Sequence, residues 1–555
     1  MLCKPVEREI RRFALLNALE FGKAQVKPVI AKVLALHPEL RKNAKDVVEL
    51  CERVVSEINS LSPEEIKKIS EEMGVKLEKR KRESGAQTLP ELPVEENVRP
   101  VFRIAPNPNG PLHIGHARMI ILNDEYAKRY GGTLILRFDD TDPKNPAKRP
   151  VKEAYEMIRR DLKWLGVKWH EEIIASRRLD IYYRWFEICL KKGFAYICTC
   201  SAEEWRERVR KKRTACECRK KSGEENLRDW KKMLAHEFKE GEAVGRIKTS
   251  LEEKDPAVID WVAFRIIDEP GHPFFANPQT APKVWPSLDF ASAIDDRLTG
   301  VTHILRGKDL AICEKRQRIL YDYFSWRYPR VFVFGKIFSE KFVFSTSRLR
   351  EMVEKGIYKG FDDTRLATIC ALRKRGITAQ AIRNYIISLG LNENETKFDM
   401  EILHAFNRKV LDPVAKRFFL VRNPVEIELE TVPREQIEAP LYPGRKETRV
   451  IKVSERIFVE KEDFEKFRGK EVRLMHFCNV LLKKKARVTS LENRDIPKIH
   501  WVSNGVKVAL VENEEERECV AEENVLGVKR DEIVQFERVG FARCEDRARF
   551  YFAHR

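Results

Sequence analysis

Nowhere in the 555 residues do eighteen apolar side chains follow one another, and the opening MLCKPVEREIRRF scatters charge where an exported chain would carry an apolar stretch. These absences argue against a helical membrane span and lead us to expect an unexported, cytoplasmic protein. Cysteine is scarce: twelve residues in 555 are too few for a disulfide scaffold and fit a reducing compartment, where paired cysteines more often hold metal. Repeats at a fixed period and long low-complexity tracts are missing too.

Positive charge is what the chain has in excess. Lysine and arginine outnumber aspartate and glutamate 106 to 87, a net charge of +19 at pH 7, with 35% of residues charged. A polyanion such as nucleic acid is the natural partner; dense Lys, Glu and Arg usage equally suits a heat-tolerant surface. The length calls for three to five domains, because one core rarely grows past roughly 250–300 residues.

Helical periodicity runs through FALLNALEFGKAQVKPVIAKVLALHP and AKDVVELCERVVSEINSLSPEEIKKISEEM, where SPEE reads as an N-cap followed by acidic residues. A helical domain is expected over 1–75. The apolar repeat then gives way to charge, proline and glycine over 76–97, as in a solvated linker. Next come strand, turn, helix and strand in VRPVFRIA, APNPNGPLHIGH and TLILRF, the opening of a parallel α/β sheet. From about Val414, alternating segments such as VEIELETV, RVIKVS and GVKVALVE predict an all-β end built of barrels.

In a doubly wound sheet the loop after the first strand leads phosphate to a helix N-terminus. His113 and His116 sit in that loop three residues apart, on one face of the first helical turn, where imidazole and free backbone N–H groups can converge on a polyphosphate. An arbitrary His-x-x-His usually caps and packs; His-Ile-Gly-His between a strand and a helix favours phosphate chemistry.

These residues resemble class I aminoacyl-tRNA synthetases, whose hallmark is His-Ile-Gly-His after the first strand of a Rossmann-type fold. FRIAPNPNGPLHIGHAR, LRFDDTDP, DDTRLATICALRKRGIT and KIHWVSNGVKV are similar to the glutamyl/glutaminyl group in its archaeal form, from about Val98 to the end of the chain. The resemblance implies a multidomain α/β plus all-β fold: a catalytic core at 98–173 and 288–350, an acceptor-stem-binding insertion at 174–287, a helical subdomain at 351–413 and anticodon-binding β-barrels at 414–555. It also implies ATP-dependent ligation of L-glutamate to the 3′ end of tRNA(Glu) through glutamyl-adenylate, with Mg²⁺ sharing the phosphate charge. A monomer is expected, and charging of tRNA(Gln) with glutamate stays open.

The resemblance assigns ATP to Pro106, Asn107, Gly110, His113, Gly115 and His116. Of the Lys-Met-Ser-Lys-Ser loop, KFVFSTSRLR keeps Ser345 and Ser347, but Thr346 stands at the lysine position. A hydroxyl cannot neutralise departing pyrophosphate, so Arg348, two places on, is the candidate. Arg103 on the first strand matches a substrate arginine common to glutamyl and glutaminyl enzymes. Arg306 matches a position that is arginine in glutamyl enzymes and uncharged in glutaminyl ones, and a guanidinium is the group that separates a carboxylate from an amide. Asp139 matches the carboxylate that holds the substrate ammonium, whereas Asp140 or Asp142 is expected only to cap a turn. In PSLDF, Leu288 and Asp289 stand where the family has Tyr-Asp, and leucine cannot supply the tyrosine's hydrogen bond.

Cys198, Cys200, Cys216 and Cys218 form two Cys-x-Cys pairs fifteen residues apart, a spacing for one tetrahedral Zn²⁺, with unliganded thiols or disulfides as rival readings. RERVRKKR, the densest basic run, is read as a solvated helix face without assigned phosphates. Two functional alternatives stay open at this point: a glutaminyl enzyme, disfavoured by Arg306, and a non-catalytic tRNA-binding relative, for which Thr346 and Leu288 argue.

Overall fold

The structure, a computed structural model, describes residues 4–75, 89–275, 277 and 279–555. It divides into two compact units, residues 1–86 and 87–555. None of the helices among the described residues is long and apolar enough to cross a membrane.

The first unit holds helices α1 (Lys4–Phe21), α2 (Val26–Leu36), α3 (Ala44–Asn59) and α4 (Pro63–Glu72). On α3, Val47, Cys51, Val54, Val55 and Ile58 recur at helical spacing, and all are buried against Ile10, Ala14 and Leu15 of α1 and Val29 and Val33 of α2. Ser62 and Glu65 close a reciprocal capping box with Pro63 at the first helical position, so SPEE starts α4 as its residue types dictate.

The expected linker fares differently. Residues 76–88 lie outside the described residues, but within 89–93 two side chains are not solvated: Leu89 and Leu92 are buried in the core of the second unit, while Pro90, Glu91 and Pro93 are exposed. Tyr126 Oη donates to Pro90 O at 2.9 Å, and Leu92 N–H donates to Tyr130 Oη at 2.7 Å. Proline and charge around two isolated leucines hid a strap that packs without any periodic pattern.

The second unit opens with β1 (Val101–Ile104), α5 (Ile114–Arg129), β2 (Thr133–Phe138), α6 (Lys152–Trp164) and β3 (Glu171–Ile174). β1 pairs with β2 and β2 with β3, all parallel. The chain then builds α7 (Leu179–Lys191), β4 (Ala195–Cys198), α8 (Ala202–Trp205), α9 (Gly223–Leu234), β5 (Val244–Ile247), β6 (Val262–Ile266), β7 (Val284–Pro286) and α10 (Leu288–Leu298), in which β4-β5-β6-β7 make an antiparallel sheet. It returns through β8 (His303–Gly307), α11 (Ala311–Tyr323) and β9 (Arg330–Phe334), with β8 and β9 parallel. Thr302 N–H donates to Val101 O at 3.0 Å and Val101 N–H to Thr302 Oγ1 at 2.8 Å, which sets β8 beside β1. With β8 set beside β1 the strands follow one another as β3-β2-β1-β8-β9, and the order of connection switches between β1 and β8, the place where parallel sheets of this kind take ligands beyond their carboxyl ends.

Helices α12 (Thr346–Glu354), α13 (Ile369–Arg375), α14 (Ala379–Leu389) and α15 (Met400–Leu411) follow. Two seven-stranded sheets end the chain. Residues 416–418 and 420–421 lie at opposite edges of one sheet, although they are a single run interrupted at Phe419; residues 498–499 and 501–503 do the same around His500 in the other. A strand that contributes to both edges brings them together, which removes the open edge a flat sheet would present. The sheet of residues 424–503 is inserted between the first strands and the remainder of the other.

Candidate active site

His113 is the N-cap of α5 in an extended conformation. Its Nδ1 accepts from Gly115 N–H at 3.1 Å, while His116 Nδ1 accepts from His113 N–H at 3.3 Å, so the two imidazoles form a reciprocal capping box. With both Nδ1 atoms used as acceptors, the proton of each neutral ring resides on Nε2, leaving two N–H donors. The rings stack 3.8 Å apart, and His113 also stacks on Phe344 at 5.5 Å. Burial lowers the pKa of His116 to about 4; burial, then the charge of His116, holds His113 well below the usual range. Gly115 permits this geometry, because a Cβ there would lie 2.9 Å from His113 Cε1.

The motif is clamped from behind. Ile114 N–H donates to Ala367 O at 3.1 Å and Ile369 N–H to Leu112 O at 2.9 Å, tying the histidine turn to the start of α13. In front lies the serine loop. A Cβ on Gly110 would meet Thr346 Cγ2 at 2.4 Å, so the two loops touch where Thr346 stands for the lysine. Ser345 is the N-cap of α12, and its Oγ lies 3.2 Å from Ser347 Oγ. Arg348 is exposed and forms no hydrogen bond or ion pair among the described residues, whereas Arg350 reaches across to Asn109 O at 3.5 Å and Pro146 O at 2.5 Å. Pro106 O accepts from Asp139 N–H at 3.1 Å, and Asn107 Oδ1 is buried without a partner.

Beyond the carboxyl ends of β1 and β2 the charges converge. Arg103 Nε donates to Asp296 Oδ1 at 3.1 Å; Arg137 donates to the same oxygen from Nη1 at 2.7 Å and to Asp139 Oδ1 from Nε at 2.7 Å. Burial would raise the Asp296 pKa, but Arg103, Arg137 and Arg306 outweigh it and hold the carboxyl below its ordinary value. Arg306 is 3% exposed, and no carboxylate of the described residues lies within ion-pair distance of it. Its Nη2 donates to Gln317 Oε1 at 3.1 Å and to Tyr328 Oη at 3.4 Å, and its Nε is buried without a partner. Three guanidinium groups, Arg103, Arg137 and Arg306, thus face two carboxylates, Asp139 and Asp296, leaving one positive charge over.

Asp289 Oδ2 is paired with Arg316 at 2.5 Å, and its Oδ1 is buried and unpartnered. Leu288 is half-buried at the start of α10. The neighbours of Asp139 take two different roles. Asp142 accepts from Asn145 N–H at 3.4 Å, which caps a turn, but is also ion-paired with Arg265 at 3.0 Å, and Asp140 is buried and accepts from Tyr155 Oη at 2.6 Å and from Ser176 N–H and Oγ at 2.7 Å each. Sequence reading missed Arg137, Asp296, Gln317 and Tyr328. Arg137 was findable, since side chains two apart on a strand share a face and Arg137 is two before Asp139; the other three carry no local signal.

The four cysteines also meet. Cys198 ends β4, Cys200 follows in a turn, and Cys216 and Cys218 lie in and beside a short 3₁₀ turn, so only the first pair begins on an extended strand. Their sulfurs lie within 4.8 Å of one another, with Cys200 Sγ 3.8 Å from Cys218 Sγ. Bonds of about 2.3 Å to a tetrahedral ion place sulfurs roughly 3.8 Å apart, so the set fits Zn²⁺, and none of the four is in a disulfide.

A parallel nucleotide-binding sheet whose first loop carries His-Ile-Gly-His at a helix start, faced by a serine-bearing helix start, is the arrangement of class I aminoacyl-tRNA synthetases. Residues 100–413 match the catalytic domain of the class I tRNA synthetases (E and Q), and residues 415–496 and 498–545 match that family's anti-codon binding domains; the chain belongs to this family. A glutamate–tRNA ligase of Archaeoglobus fulgidus is 44% identical over 553 residues, covering 97% of each chain. One from Pyrococcus abyssi is 45% identical over 562 residues, again 97% of each. One from Sulfurisphaera tokodaii is 41% identical, covering 98% of this chain and 97% of its own.

Proposed function

We propose that this chain is a glutamate–tRNA ligase that forms glutamyl-adenylate from L-glutamate and ATP and transfers the glutamyl group to the 3′ end of tRNA(Glu), acting as a cytoplasmic monomer. The buried surplus charge at Arg306 carries the reading. Glutamate brings one net negative charge and glutamine none, so a pocket with one unmatched guanidinium suits the acid.

In the first step an α-carboxylate oxygen of glutamate bonds to the α-phosphorus of ATP while the bond to the β-phosphate oxygen breaks and pyrophosphate leaves. The Nε2–H groups of His113 and His116 donate to the phosphate oxygens as charge builds there, and the phosphate chain lies along Pro106, Asn107, Gly110 and Gly115. Mg²⁺ bound with ATP would supply further positive charge to the phosphate chain. Arg103 and Asp139 hold the α-amino acid end, Leu288 and Asp289 line the pocket, and Arg306 takes the side-chain carboxylate. Ser345, Ser347 and Arg348 face the leaving pyrophosphate; Arg348 makes no hydrogen bond or ion pair among the described residues, which frees it for that task. In the second step the tRNA's terminal ribose hydroxyl attacks the glutamyl carbonyl carbon, and AMP leaves with the pair of electrons of the anhydride bond. The insertion that carries β4 to β7 receives the acceptor stem, and the C-terminal barrels receive the anticodon.

With tRNA(Glu) present, pyrophosphate exchange should depend on glutamate and not on glutamine, and Arg348→Ala should slow it by about tenfold or more, the loss of one charge-assisted contact. Exchange driven equally by glutamine would sink the assignment; a wild-type rate in Arg348→Ala would remove that arginine from it.

Zn²⁺ on the four cysteines would hold the turn after β4 against the 216–220 segment. Metal analysis of protein purified without chelator should find about one equivalent per chain, and less than half in Cys216→Ser. Wild-type protein with well under one equivalent would reject the site.

A further inference from the structure

We propose that Gln317, on α11, is a positioning residue for amino-acid selection: a neutral acceptor that aims Arg306 without spending its charge. The inference rests on the reading of Arg306 as the partner of the substrate's side-chain carboxylate. Gln317 is fully buried, and each of its amide atoms is occupied. Oε1 accepts from Arg306 Nη2 at 3.1 Å and from Tyr328 Oη at 2.7 Å. Nε2 donates to Ser292 Oγ at 2.6 Å and to Asp289 O at 3.4 Å, while Ser292 Oγ itself donates to Leu288 O at 2.6 Å. These bonds fix which way the amide faces, since the flipped amide would set its NH₂ against a guanidinium.

The choice of an amide here has a chemical consequence. A buried arginine is commonly matched by a carboxylate, as Arg103 and Arg137 are by Asp296. A glutamate at position 317 would have nearly the same shape, would still accept from Nη2, and would neutralise Arg306 before any substrate arrived. Glutamine orients the guanidinium and leaves its charge, together with the unpartnered Nε, to the ligand. Leu288 and Asp289, at the start of α10, supply two of the carbonyls that the Gln317 network uses, so this part of the pocket is held by backbone where a tyrosine hydroxyl is lacking.

The test compares Gln317→Glu, Gln317→Met and Tyr328→Phe in tRNA-dependent pyrophosphate exchange with glutamate and with glutamine, beside Arg306→Cys. Gln317→Glu should raise the glutamate KM by about 100-fold with kcat within about threefold, and should erase the preference for glutamate. Gln317→Met, which removes the acceptor but leaves Arg306 charged, should raise KM by about tenfold and keep the preference. Tyr328→Phe should raise it by a few-fold, about what one neutral hydrogen bond is worth. A role in packing alone would move both Gln317 variants alike and leave the preference untouched; that result, or a wild-type KM in Gln317→Glu, overturns the proposal. Should Gln317→Glu not fold, Gln317→Met and Tyr328→Phe decide, and an unchanged glutamate KM in both overturns it. If Arg306→Cys keeps full preference for glutamate, the reading beneath fails; if it loses preference while Gln317→Glu does not, only the role of Gln317 fails.

Discussion

Replacing His116 by alanine is expected to slow glutamate-dependent pyrophosphate exchange by about 10²–10³-fold, the range for loss of one preorganised donor to a developing oxyanion. Both imidazoles are oriented by the protein's own contacts: backbone N–H groups hold each Nδ1, the rings stack, and Gly115 leaves room for His113 to lie flat against the turn. Little reorganisation is then needed when phosphate charge develops, and both rings are neutral at pH 7 because burial lowers their pKa values, that of His116 to about 4. Their donors are hydrogen bonds from neutral rings, so the exchange rate should show no loss attributable to them between pH 6 and 8. His113→Ala should cost more, since it also removes the side-chain cap of α5, worth about 1 kcal/mol of local stability. His116→Gln, which keeps a donor, should recover part of the rate. Single-turnover adenylate formation in protein with an unchanged melting temperature measures all three, and a His116→Ala enzyme within threefold of wild type would remove the histidines from the chemistry.

The histidine pair was legible because its whole geometry is local. Cap, tautomer and ring stack are made within four consecutive residues, so His-Ile-Gly-His carries its geometry in its spelling. Cys198, Cys200, Cys216 and Cys218 were legible as one cluster for a related reason, since two Cys-x-Cys pairs separated by a short segment can be brought together by local folding, and their sulfurs do lie within 4.8 Å of one another. Asp296 and Gln317 are the opposite case. Asp296 neutralises Arg103 from 193 positions away, and Gln317 is one glutamine on a helix whose partners lie on β8, on α10 and before β9. Nothing in their immediate neighbours separates them from surface residues; only the sheet order that sets β8 against β1 does so. The strap at Leu89 and Leu92 escaped for want of periodicity, as extended segments that pack by single side chains generally do. The barrels could be read as strands, but their closure through runs broken at Phe419 and His500 required the pairing itself.

Arg306→Cys should lower kcat/KM for glutamate by about 10³-fold while leaving that for glutamine unchanged or raised. The magnitude follows from burial. A substrate carboxylate left without its cation in a dry pocket loses about 3–5 kcal/mol, which the neutral amide of glutamine does not. The direction follows from the count of charges: without Arg306, Arg103 and Arg137 face Asp139 and Asp296, two against two, and the surplus that suited an anion is gone. Loss of function need not mean loss of fold. Among the described residues Arg306 has no carboxylate at ion-pair distance whose charge would be stranded by its removal, and Gln317 Oε1 keeps its bond from Tyr328. The ligand-free variant should therefore melt within about 2–4 °C of the parent, whereas the rise in melting temperature that glutamate gives the parent should vanish. The two readings together separate a specificity residue from a structural one: a variant that melts far below the parent would show that the guanidinium serves the fold, and one that keeps the glutamate-induced rise would show that the carboxylate binds elsewhere.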